Sequence, residues 1–317
     1  WNSTTISEGY AKGSQYSSKM SGENITLYAV WIPLTVGEYV NYVPAEGSFT
    51  SESTYNGSST QNFSTVTTSK WRILQKGDKT LTLISDTTIN NGFTLKGENG
   101  YNNGVLLLNN ACEAMYSNST LGATGRSIKA EDIEEKSSAS SAEKTVSLRG
   151  MTTISTRAYP KIFDYEKNGI LKKSEQTEYM SGRSQAALAS ITTAYSYTMS
   201  TSNMSNIDLE IFGYEPETTT DLTNAYWIAS RGRNARNEGS SNGEVETSFG
   251  IYRVSKRNIA ISKLFLSTTN DMYWSSSTST NSYSYALRPV VDLDLSRLRI
   301  GETGDGTSET PYSITAR

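Results

Sequence analysis

Residues 285–293 read Tyr285-Ala286-Leu287-Arg288-Pro289-Val290-Val291-Asp292-Leu293. Aromatic and β-branched residues dominate this run, which marks a strand. A strand so late in the chain needs an earlier partner. Lys70–Gln75 and Thr80–Asp86 supply one: two alternating apolar runs around a Gly77-Asp78 turn, the pattern of a hairpin. Val36–Pro44 reads as a further strand ended by its proline. The expectation is that 285–293 closes a sheet by pairing with a strand from 34–90. Ala225–Arg231, Phe249–Ser255 and Lys263–Leu266 read as the other late strands.

Helices are predicted between the early and late strands. In residues 100–117, Val105, Leu108, Cys112 and Met115 fall on one helical stripe with Leu107, Ala111 and Tyr116. Cys112 on that stripe reads as a core cysteine rather than a reactive thiol. A second helix is predicted over Ile128–Glu135, with Ser127 as its N-cap, and a third over Gln185–Ile191. Residues 45–70 read as a surface loop, and 136–224 as a loop-rich insertion. Strands, then helices, then strands again give an α+β class.

Composition narrows the function. The chain has 317 residues and a formal net charge of −3, with 35% hydrophobic and 19% charged residues. Ser (47) and Thr (39) together exceed a quarter of the chain, and there are 20 Tyr, so the chain reads as folded, hydroxyl-rich and tyrosine-rich. There is no histidine, which removes Ser-His-Asp and Cys-His mechanisms and histidine-based zinc sites. The single cysteine rules out an intrachain disulfide. The slightly acidic balance argues against nucleic acid as a partner. No apolar run approaches the roughly 20 residues of a membrane span. This balance of residue types fits an exported bacterial surface protein better than a cytosolic enzyme. The sequence opens at Trp1 without an initiator methionine or a signal peptide, and so reads as a processed product or fragment.

Two resemblances follow from short motifs. Residues 1–33 are similar to the C-terminal half of an internalin-type B-repeat, a small β-rich spacer of bacterial surface proteins. Trp1, Asn2, Gly9, Tyr16, Asn24, Thr26, Leu27, Tyr28, Ala29 and Trp31 carry the likeness. Residues 34–317 resemble a C-type-lectin-like domain of the formylglycine-generating-enzyme-like subgroup, which includes the variable proteins of diversity-generating retroelements. Tyr226, Trp227, Ser230, Phe249, Gly250, Val254, Leu287, Arg288, Pro289, Val290, Val291 and Leu293 carry it. The resemblance implies a mixed sheet with two helices, and a displayed ligand-binding region between Trp227 and Arg288. Tyr273–Tyr285 has the Tyr, Trp, Ser and Asn content of an adaptable contact surface.

The candidate ligand-binding residues are therefore Ser230, Arg231, Arg233, Asn234, Tyr273, Trp274, Asn281, Tyr283 and Tyr285. Several of the aromatics are expected to be exposed and close to Arg231, Arg233 and Asn234. Seven Lys/Arg against three Glu in 231–263 mark a candidate basic patch for an acidic partner. No catalytic residue is expected. Asp132 and Glu135 read as a solvated helix face, and Cys112 alone does not supply formylglycine-generating chemistry. No metal or cofactor is expected either, because Glu215-Pro216-Glu217 departs from the lectin calcium motif. The reading is an extracellular, adhesin-like protein that binds a protein or glycan ligand and has some capacity for self-association. Its rival is a structural subunit of a surface filament or phage tail, joined by inter-subunit β contacts.

Overall fold

The computed structural model describes residues 34–136, 138, 156–158, 164–173, 198–200, 204–213, 225–237, 245–255, 263–268, 273–274, 277–301 and 303–317. The expected B-repeat-like strand and the helix expected over 185–191 lie outside them. In chain order the early strands are β1 (Tyr39–Asn41), β2 (Ser48–Ser51), β3 (Gln61–Ser64), β4 (Trp71–Lys76), β5 (Thr80–Ser85), β6 (Ile89–Lys96) and β7 (Ala123–Ser127). β8 (Thr156–Ala158) and β9 (Thr198–Ser200) follow, then β10 (Tyr226–Asn237), β11 (Val245–Ser255), β12 (Lys263–Thr268), β13 (Tyr273–Trp274) and β14 (Ser277–Thr280). β15 (Ser282–Leu287), β16 (Pro289–Asp294), β17 (Leu298–Ile300) and β18 (Tyr312–Ala316) end the chain. The helices α1 (Ser53–Asn56), α2 (Gly97–Tyr116) and α3 (Ala130–Glu134) lie among the early strands, and the class is α+β.

One sheet has the order β17-β18-β1-β4-β5-β16-β7, and a second has β14-β13-β11-β10-β15-β6. The closing segment pairs with the early strands as expected, but as two strands rather than one. β16 lies antiparallel to β5, with Val291 opposite Leu83, while β15 lies antiparallel to β6, with Tyr285 opposite Phe93. Pro289 has no N–H to give a ladder, so it stands at the start of a strand. Arg288 turns inward at the break and donates to the carbonyls of Ser85 (3.2 Å), Asp86 (3.1 Å) and Ile211.

Alternation along the strands builds two cores. Ile73, Leu83 and Val291 lie in a cluster with α2, whereas Leu74, Ile84 and Val290 lie in another with Ile128, Ile133 and Phe212. The apolar stripe predicted for α2 is buried throughout, and Cys112 is fully enclosed in it. Burial pushes its thiol pKa up, with Arg126 opposing weakly. The helix lies so close to β7 that a Cβ on Gly125 would stand 2.4 Å from the Cys112 carbonyl oxygen.

Four local expectations change. Residues 45–70 contain the β2–β3 hairpin and α1, not only loop; Phe49 and Phe63 pair across the hairpin and stack on Phe93. Helix α3 starts at Ala130, and the Lys129 N–H donates to Asp132 Oδ2 at 2.9 Å. Ser127 instead ends β7, its N–H taken by Asn109 Oδ1 at 3.1 Å. Asp132 is buried rather than solvated, because both its oxygens accept from Arg126. The insertion also contributes to the interior: Met204, Leu209, Ile211 and Phe212 belong to the second core. Arg72 bonds Glu210 at 2.9 Å, which ties the Asn206–Ile211 helix to β4.

Candidate functional site

Two of the nine candidate ligand-binding residues are structural. Ser230 is buried and its hydroxyl accepts the Ala130 N–H at 3.0 Å, fixing the start of α3. Arg231 is also buried. Its Nε donates to the Tyr101 carbonyl at 2.8 Å and its Nη1 to Glu166 Oε2 at 2.6 Å, and Nη2 reaches Glu166 Oε1 and the Asn102 carbonyl. The arginine thus ties the Asp164–Lys167 helical turn of the insertion to α2. Asn103 adds a second tie, since its side-chain amide donates to the Lys172 carbonyl at 2.7 Å and accepts the Lys172 N–H at 2.8 Å. Glu166 and Asn103 carried no signal in the sequence. Arg231 did, because it stands two and four residues from the core positions Ala229 and Trp227, on the same face of the strand.

Asn281, Tyr283 and Tyr285 are half-buried, not freely displayed. On β15, Tyr283 and Tyr285 stand opposite the core residues Leu95 and Phe93, while Ser282 and Ser284 take the exposed face. The Tyr285 ring meets Trp227 edge-on at 4.7 Å, and the Tyr283 ring is parallel to it at 6.5 Å. The cation beside Tyr285 is Arg253 rather than Arg231. Its guanidinium lies 4.8 Å from the ring centroid and Nη1 donates to the tyrosine hydroxyl at 2.7 Å. Arg231 and Arg253 are both buried, so two of the seven cations expected in the basic patch are used internally.

The remaining four residues are placed by strand register. β10 and β11 run antiparallel, with Arg233 opposite Phe249 and Asn234 opposite Ser248. β13 continues these rows, with Tyr273 opposite Phe249 and Trp274 opposite Ser248. On the other side of β10, β8 sets Ala158 opposite Arg233 and Arg157 opposite Asn234. The rows are therefore Ala158-Arg233-Phe249-Tyr273 and Arg157-Asn234-Ser248-Trp274. Directly opposed residues share a face and neighbouring rows alternate between faces. Arg233 and Tyr273 fall on the face of β10 that carries Arg231, and Asn234 and Trp274 on the reverse. Arg157 is a new member, since nothing in the local sequence places it beside β10.

Among the described residues, no three His, Cys, Asp or Glu side chains converge as a metal-binding group. No described helix is long and apolar enough to cross a membrane. Compared with known proteins, the chain matches no protein-family model, no curated protein and no solved structure.

Proposed function

We propose that this chain is a surface-displayed, adhesin-like ligand-binding protein built on a C-type-lectin-like scaffold, and not an enzyme. The observation that carries the reading is the pair of rows across β10, β11 and β13. Four candidates from two distant segments fall in two neighbouring register rows of one sheet, Arg233 and Tyr273 on either side of Phe249, and Asn234 and Trp274 on either side of Ser248. Below them, Trp227, Ile228 and Arg231 fix the same strand in the interior. A strand fixed in the interior at one end, with Asn234 and Trp274 in one register row further along it, is the arrangement that a preorganised binding surface needs. The scaffold reading is supported by the late strand β16 pairing with the early strand β5, and by α2 and α3 lying between them in the chain.

The test is a binding screen of the chain on arrays of glycans and extracellular proteins, repeated with Asn234→Ala and Trp274→Ala. The expected result is a ligand whose binding each variant weakens at least tenfold at an unchanged melting temperature. Full binding by both variants would overturn the assignment of this surface.

A further inference from the structure

We infer that Asn91-Gly92, at the edge of the second sheet, is a site of spontaneous covalent modification, where the asparagine cyclises to a succinimide and opens to isoaspartate and aspartate. The chain holds six Asn-Gly pairs, beginning at Asn56, Asn91, Asn99, Asn103, Asn168 and Asn242. Glycine favours cyclisation at every one, because it has no Cβ to crowd the attacking nitrogen and its backbone turns freely. The pairs differ in whether the fold leaves the asparagine side chain and the glycine N–H able to meet. The pair at Asn242 lies outside the described residues. Four of the other five are held apart. Asn56 is buried; its side chain donates to the carbonyls of Ser51 (3.0 Å) and Ser59 (2.8 Å) and accepts the Ser58 N–H at 2.6 Å. The Gly57 N–H donates to the Ser53 carbonyl at 3.1 Å. Asn99 and Asn103 stand inside α2, whose ladder takes the Gly100 and Gly104 N–H groups. The Gly169 N–H donates to the Glu166 carbonyl at 2.9 Å.

Asn91 is placed differently. Between the Ile89–Leu287 and Phe93–Tyr285 pairs, β6 has Asn90, Asn91 and Gly92 where β15 has only Ala286. These residues form a bulge, with φ of 52° at Asn90 and 91° at Gly92, and a bulge leaves its extra residues out of the ladder. β6 is also the last strand of its sheet order. Asn91 is exposed, and no described residue bonds its side chain. Gly92 is anchored through its carbonyl, which accepts from Gln61 Nε2 at 2.8 Å and Thr94 Oγ1 at 3.1 Å. The only described atom within 4 Å of a Cβ on Gly92 would be Ser284 Oγ, at 3.9 Å, so a five-membered ring has room to close.

The Gly92 nitrogen gives its proton to solvent and attacks Asn91 Cγ. An N–C bond forms, the Cγ–Nδ2 bond breaks, and the side-chain amide leaves as ammonia after taking up a proton. Water then opens the ring. Cleavage at Cγ gives aspartate, and cleavage at the Asn91 main-chain carbonyl gives isoaspartate, whose backbone runs through the former side chain. Both products add a negative charge. Isoaspartate also adds a backbone carbon just before Phe93 and Leu95, the partners of Tyr285 and Tyr283.

Peptide mapping by mass spectrometry during incubation of the whole chain at pH 8 tests this, once in buffer and once in urea. In the native chain, Asn91 is expected to deamidate at least ten times faster than Asn56, Asn99, Asn103 or Asn168. Both isoaspartate and aspartate should appear at position 91, with ammonia released in step. In urea the five rates should converge to within a few-fold, because the contacts that protect the other four are gone. Asn91→Gln, which would have to close a larger ring, should remove the early ammonia release at an unchanged melting temperature. A native Asn91 no faster than the four protected asparagines, faster loss at any of those four, or a tenfold spread that survives in urea overturns the inference.

Discussion

The side chains of Arg231 and Glu166 meet with only 1% and 2% of their surfaces exposed, joining β10 to a helical turn of the insertion. Breaking a buried pair by removing one partner strands the other charge, at a cost of about 3–5 kcal/mol. Glu166→Ala is therefore expected to lower stability by about that amount in urea titration. Glu166→Gln keeps two polar atoms near the guanidinium and should cost less. A loss below about 1 kcal/mol for Glu166→Ala would contradict the buried pairing.

Gly125 has no room for a side chain. Its nearest obstacle is the Cys112 backbone carbonyl, which a rotamer change does not move. Gly125→Ala should cost about 1–3 kcal/mol through overpacking. It should shift the denaturation midpoint without changing the slope. Gly77→Ala is the control, since its nearest neighbour would be the Thr80 oxygen at 3.5 Å. An equal effect at both sites would contradict the close approach of β7 to α2.

Alkaline pH should destabilise the fold. Burial raises the pKa of Cys112, Tyr42 and Tyr116, and Cys112 adds to the rise at Tyr116. Each group then holds its proton more tightly folded than unfolded. The stabilisation is complete below the unfolded values, about 8.5 for Cys and about 10 for Tyr, and is lost as pH climbs past them. Melting temperatures should be level from pH 7 to about 8 and fall steadily toward pH 11. Iodoacetamide should label Cys112 at pH 8.5 only after unfolding. Rapid labelling of the native chain would show an open thiol.

Tyr285→Phe keeps the ring against Trp227 and removes the hydroxyl that accepts from Arg253. A hydrogen bond to a charged group contributes about 1.5–3 kcal/mol, and the half-exposed tyrosine should lie at the lower end. Tyr285→Ala should cost more, since it also removes the edge-on contact. Equal losses in the two variants would place the whole effect in the hydroxyl.

The sequence made legible what depends on period and turn chemistry. The β4–β5 hairpin, the stripe of α2 and the pairing of the closing segment are all local alternation or helical spacing. Cys112 followed from the same stripe. Contacts between distant polar residues were not legible. Glu166 and Asn103 become structural only because Arg231 and Lys172 arrive beside them, and their own neighbours in sequence give no hint of it. Ser230 and Arg231 looked like ligand contacts because they fall between Trp227 and Arg288, the region that the resemblance implies is displayed. The parity of Arg231 with Trp227 pointed inward and outweighed its charge. Pro289 likewise marked the break between β15 and β16, which the run of apolar residues around it obscured. Among the site residues, the alignment of Asn234 and Trp274 on either side of Ser248 emerged from register alone.

Strand β1 runs parallel to β18, with Val40 beside Tyr312 and Asn41 beside Ser313. Because both strands point the same way, tension applied between residue 34 and residue 317 pulls them in opposite directions along their length. Their hydrogen bonds are then loaded together as a lap joint, rather than opened one at a time like a zip. β1 is also bonded to β4, and β18 to β17, so sliding would have to shear the sheet on both sides of the joint. A body stretched between these two points would resist force best along that axis.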